Sequence, residues 1–237
     1  MAPRQIPQKV PSAPAEAAAP PVLEKPIPDK ANGAKIPIAF QLRDQVIDGA
    51  VIKPLTFQAF AECVSEAHGM RAPKAFEARL RRLRMVRQVT YYTNGSAAAV
   101  TIEDVTQMPI PAARTITARL DEADEGVPGK IVRPGDGIDR AIVYALGAPI
   151  AMGQGKEPVT ELEFLAKTYG EIEDILAAPD SIQQAALLLS TIATPLGTSL
   201  TRLPSWALAQ VSIADGVTIA KEVLPHFLGS ADESSNE

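Results

Sequence analysis

Pro109 and Pro204 constrain this chain more than any other pair of residues in it. A proline bars the residue before it from helical geometry and suits the first position of a helix, so each marks a sharp turn that launches a helix. The later turn, Leu200-Thr201-Arg202-Leu203-Pro204-Ser205-Trp206, lies between an apolar helical segment at 182–194 and a second at 213–228. Val105-Thr106-Gln107-Met108-Pro109 lines up with Leu200-Thr201-Arg202-Leu203-Pro204, keeping Thr and Pro and exchanging apolar for apolar before the proline. Such self-similarity is the signature of an internal repeat.

The sequence ahead of each turn supports the pairing. Extended runs at 36–45 and 50–57, with Asp48-Gly49 as the hairpin signal, precede the earlier helices. Runs at 141–150 and 157–164, split by Gly153-Gln154-Gly155, precede the later ones, so that Ile52, Leu55 and Phe57 correspond to Val159, Leu162 and Phe164. The expected fold is α+β: two similar small modules, each a β-hairpin followed by several helices, with an extended N-terminal arm. Units of this size are near the small end of what holds its own core, and two packed together would share a better one.

The boundaries follow from composition. Residues 1–35 are Pro/Ala-rich and read as an extended or disordered arm, alternatively as an arm ordered along a neighbouring subunit. The first module spans 36–125, a Gly/Pro-rich linker 126–138, the second module 139–229, and an acidic tail 230–237. Cys63 is the single cysteine, so no intrachain disulfide forms and a reducing cytoplasm fits. No run approaches the roughly 20 apolar residues needed to span a bilayer, and the N-terminus lacks a signal peptide's apolar core, so no membrane association is expected.

Within the first module, 58–67 reads as a helix ended by His68-Gly69, and 75–92 as a second helix stopped by Asn94-Gly95. In that second helix Phe76, Leu80, Leu83, Val86 and Val89 recur at helical spacing, with Arg79, Arg81, Arg82, Arg84 and Arg87 between them. The net charge of −5 and the lack of an aromatic reading surface argue against nucleic acid, leaving a solvated face or an acidic protein partner. Glu161, Glu163, Glu171, Glu173 and Asp174 supply such an acidic face in the second module. The basic helix is therefore expected to meet the acidic one, within a chain or between chains, with Arg79, Arg82 and Arg87 as contacts.

A helix at 182–194 follows a break whose Asp180 or Ser181 can cap it, and Ser212 with Asp215 opens the last helix in capping-box fashion. Its apolar positions Val217, Ala220, Leu224 and Phe227 run to a stop at Gly229. No chemistry emerges. His68 and His226 sit at helix ends without clustered ligands, and Gly126-Val127-Pro128-Gly129-Lys130-Ile131 lacks the Ser or Thr, the spacing and the following helix of a phosphate loop. No catalytic residue, cofactor or metal is expected, and the chain reads as a non-enzyme.

Residues 182–228 resemble the tail assembly chaperone family of tailed bacteriophages. The resemblance rests on the apolar helix, the turn Leu200-Thr201-Arg202-Leu203-Pro204, and an Asp-containing helix ending in Phe227-Leu228. It implies a non-catalytic protein that binds tail-tube or tape-measure protein in the host cytoplasm during virion morphogenesis. The alternative is a structural virion component, such as a minor tail, baseplate or capsid-decorating protein, whose arm wraps neighbouring subunits. An enzyme or nucleotide-binding protein is the third possibility, which the missing motifs disfavour. The candidate partner contact is the ridge at Leu203, Pro204 and Trp206, against the plainer expectation that Trp206 is buried in its own module.

Overall fold

The computed structural model describes residues 34–70, 72–153 and 155–228. The arm expected at 1–35 falls outside them except for Ala34 and Lys35, which belong to a strand; Gly229 and the acidic tail also lie outside the described residues. The fold is α+β. One antiparallel sheet joins β1 (Ala34–Ile36), β4 (Gly49–Ile52), β5 (Val89–Thr93) and β6 (Ser96–Ala98) in the order β1-β4-β5-β6. A short ribbon of β2 (Phe40–Leu42) and β3 (Gln45–Ile47) is inserted between β1 and β4. The second antiparallel sheet runs β10-β9-β8-β7, from β7 (Lys130–Arg133), β8 (Ile142–Ile150), β9 (Val159–Phe164) and β10 (Ala193–Pro195).

Two helices follow the paired strands in each half. In the first half α1 (Phe57–Ala67) and α2 (Pro73–Gln88) connect β4 to β5; in the second α5 (Tyr169–Leu176) and α6 (Ser181–Thr191) connect β9 to β10. Further helices then close each half: α3 (Ile102–Thr106) and α4 (Ile110–Asp124) in one, α7 (Ser205–Leu208), α8 (Ile213–Thr218) and α9 (Pro225–Leu228) in the other. Side chains start them as the composition dictates. The Thr56 hydroxyl accepts from the Ala59 N–H, and Asp180, the cap of α6, accepts from the N–H groups of Ile182 and Gln183. Pro109 and Pro204 are themselves the N-caps of α4 and α7, one residue ahead of the expected first helical position.

Several expectations need correction. Asp48-Gly49 is not the hairpin turn: Gly49 opens β4, and the reversal is at Arg43, whose φ of 52° is in the left-handed region. Asp48 instead accepts from the Asn94 N–H at 2.8 Å. The arginine-rich helix stops at Gln88, and Val89-Thr90-Tyr91-Tyr92-Thr93 is strand; Asn94 (φ 48°) and Gly95 (φ 78°) make the two-residue turn to β6. Residues 126–138, expected as linker, contain β7, which pairs with β8. Phe57 begins α1 and does not end a strand, so its match to Phe164 of β9 is not structural.

The halves are joined through α1. Phe57, 1% exposed, belongs to the core of the second half with Ile142, Tyr144, Leu188 and Val223, whereas the first half's core gathers Ile47, Ile52, Tyr91, Ile116 and Leu120. α1 packs on α6 and α8 as well as on α2. The Phe57 N–H donates to the Val211 carbonyl at 2.9 Å, and His68 at the end of α1 meets Asp180 at 2.6 Å.

The last helix is not continuous. Between α8 and α9, Ile219–Val223 form a π turn in which the Leu224 N–H reaches back to the Ile219 carbonyl. Two features of the sequence call for it. Pro225 would drive its ring into the carbonyl of an α-helical turn. The buried residues Asp215, Ile219, Val223 and Phe227 repeat every four positions, and in a straight α-helix each such step overshoots a full turn by about 40°. The wider π turn takes up that drift. Phe227 then lies over Gly137, where a Cβ would fall 2.5 Å from its ring.

Candidate protein-binding surfaces

The turn at 200–206 is held from both sides. The Leu203 N–H donates to the Ala193 carbonyl at 3.2 Å, the Thr194 hydroxyl donates to the Thr201 carbonyl, and Arg202 pairs with Glu171 of α5 at 3.1 Å. This pinning drives Leu203 into the core, 4% exposed, and so removes it from the expected ridge. Pro204 is half-buried. Trp206 behaves the other way: it was expected in the core, yet the ring is 41% exposed on α7. The short helix beneath it is fixed by Gln210, whose amide donates to the carbonyls of Trp206 and Ala151 and accepts from the Ala151 N–H.

The arginines of α2 divide by partner. Arg87 pairs with Glu62 and Glu66 of α1, and Arg84 with Asp121 and Asp124 of α4, so these two fasten the first half to itself. Arg79 donates to the Glu66 carbonyl and Arg82 to the Thr106 hydroxyl. None reaches the acidic segment of the second half, whose Glu163 and Glu171 pair with Arg133 and Arg202. The expected meeting of basic and acidic helices therefore does not occur within the chain among the described residues.

What the sequence did not announce is a groove of about 570 Å³ between α2 and α4, closed at one end by α3. Its apolar lining includes Met85, Val105 and Met108, all buried, and Ile110, which is 68% exposed. Arg81, Arg82 and Arg114 also line it, and none has a carboxylate partner among the described residues. Asp104 holds α3 in place. It closes a capping box with Thr101 and pairs with Arg43 from the β2–β3 turn, and the Thr101 N–H, the Thr101 hydroxyl and Arg43 together hold its carboxyl below its ordinary value. The twin prolines were legible as turns, but the groove depends on how α4 lies against α2, which no local spacing encodes.

Besides Asp104, two more carboxylates, Asp215 and the less buried Asp124, are tied into the protein. Asp215, fully buried, accepts from the N–H groups of Gly129, Gly147 and Ala148 and from the hydroxyls of Tyr144 and Ser212. It thereby clips β7, β8 and α8 together, and the Gly126–Lys130 stretch lies against β8 rather than cradling an anion: a Cβ on Gly129 would sit 2.0 Å from the Ala145 carbonyl. Burial, then the neighbouring Asp215 charge, pushes the Tyr144 hydroxyl far up in pKa. Asp124 accepts from the Leu55 N–H, Gln88 and Arg84, yet burial outweighs them and raises its carboxyl above the ordinary range.

Both carboxylates are bonded inside the protein, and neither lines the groove between α2 and α4. His226 lines a shallow polar depression with Asp136, Asp139 and Arg140, in which Asp136 is occupied by the N–H groups of residues 138–140. Among the described residues no group of three or more His, Cys, Asp or Glu is arranged to hold a metal, and no helix is long and apolar enough to cross a membrane. Comparison with protein-family models, with curated proteins and with solved structures finds no match to the chain.

Proposed function

We propose that this protein is a non-catalytic assembly factor of phage tail morphogenesis that holds a tail-tube or tape-measure protein until the tube polymerises. The observation that carries this reading is the exposure of Trp206 at the turn on which the resemblance to tail assembly chaperones rests. A tryptophan 41% exposed leaves roughly 100 Å² of apolar surface in water, and its burial by a partner is worth about 2.5 kcal/mol. Gln210 bonds the Trp206 carbonyl and ties it to Ala151, so the backbone that presents the ring is already fixed before a partner binds. The recurrence of paired strands, two helices and a returning strand in both halves supports a tandem duplication of one binding module.

Trp206 is the chain's single tryptophan, which makes the test direct. Titrating purified tail-tube and tape-measure proteins should blue-shift its emission, and Trp206→Ala should weaken capture of one of them about tenfold or more. Capture of neither protein by the wild type removes the reading. Mass spectrometry of purified particles separates the two roles: a chaperone is absent or present in traces, and a fixed copy number would make the chain a virion component instead.

A further inference from the structure

The groove on the first half has a counterpart on the second. α5 turns Ile172 and Ile175 into the core, while Tyr169 is 74% exposed and Leu176 41% exposed. Tyr169, Glu173 and Leu176 are four and three residues apart and so share a face of the helix. Glu173 and the neighbouring Asp174 are exposed, with no cationic partner among the described residues. The face of α5 is thus apolar and acidic, where the groove between α2 and α4 is apolar and carries three arginines against one lining carboxylate, Asp121, which Arg84 already pairs.

The fold keeps these surfaces apart. α5 packs on α6, α6 on α1, α1 on α2 and α2 on α4, which puts them at opposite ends of a succession of helices. We propose that the groove receives α5 of a second copy of this chain, Tyr169 and Leu176 entering beside Ile110 and Met85 while Glu173 and Asp174 face Arg81, Arg82 and Arg114. An eight-residue helix is about 12 Å long, short enough to lie in a groove flanked by two longer helices. The charges fix orientation and the apolar pair supplies most of the adhesion. Because each copy offers a groove at one end and α5 at the other, the contact is heterologous and extends into a ring or a filament. This inference stands apart from the tail-assembly reading and needs no phage protein.

Sedimentation velocity on the full chain tests it. The wild type should form species larger than a dimer as concentration rises. Arg81→Glu with Arg114→Glu, and separately Glu173→Lys with Asp174→Lys, should each weaken association about tenfold or more at low salt. All four residues are exposed, so far-UV circular dichroism should be unchanged. Combining both pairs in one chain should restore association, a result that general surface repulsion does not produce. Tyr169→Ala should weaken association at any salt concentration. A wild type that stays monomeric up to its solubility limit, association unaffected by either pair, or no rescue in the combined variant would each overturn the proposal.

Discussion

The ring of Phe57 fills the space that a side chain on Gly216 would need: a Cβ there would fall 2.1 Å from the aromatic carbons. Residues from opposite halves of the chain thus share one site, the ring at the start of α1 and the bare backbone of α8. Gly216→Ala should cost about 1–3 kcal/mol by overpacking, and Phe57→Ala about 3–5 kcal/mol by leaving a cavity. Urea denaturation of the wild type followed by both Trp206 emission and far-UV circular dichroism should give one coincident transition, and each variant should lower its midpoint. Two separated transitions would show that α1 does not couple the halves.

Asp215 should prove the least replaceable polar residue. Asp215→Ala strands the N–H groups of Gly129 and Gly147 and the Tyr144 hydroxyl, each an unsatisfied buried donor costing about 1–3 kcal/mol. The expected loss is more than about 3 kcal/mol, measured as the shift of the urea midpoint. Asp215→Asn, which keeps one acceptor oxygen, should lose less.

Asp104 should shape the acid limb of stability. Its carboxyl is held below the ordinary value of 3.8 in the folded chain, so its stabilisation is fully present above that pH and disappears as pH falls through the lower, folded value. Asp104→Asn should therefore lower the melting temperature at neutral pH and narrow its gap to the wild type as pH drops below the usual carboxylate range. A gap that stays constant down the acid limb contradicts this.

Cys63 is fully buried against Ala67 and Leu83, and burial raises its thiol above 9.0. Both effects suppress the thiolate. Reaction with an aromatic disulfide reagent should be slow in buffer and rise with urea along the unfolding curve; fast reaction in the folded protein would show that α1 opens locally.

Much of the second half was legible from its sequence. The strands at 142–150 and 159–164 are runs rich in apolar or β-branched residues, set off by positive-φ glycines between them, and Asp180 caps α6 as a short acceptor ahead of an apolar run should. The first half misled where two periods overlap. Val86 and Val89 continue the helical stripe of α2, yet Val89 to Thr93 is β-branched and aromatic, and Asn94-Gly95 ahead of Ser96 was the stronger hairpin signal. β7 has only four residues, and its pairing with β8 and grip by Asp215 come from sequence-distant groups. Likewise Trp206 stays outside and Leu203 goes in because Ala193 pins the backbone of the turn, a contact that hydropathy alone cannot express.

The π turn at Ile219–Val223 gives the final helix one residue more than its inner face requires. Without the exposed Lys221, the inward residues would fall alternately four and three apart, the rhythm of an uninterrupted α-helix. Excising Lys221 together with Pro225→Ala would then leave Phe227 seated over Gly137, a shortening that an ordinary helix interior would not survive.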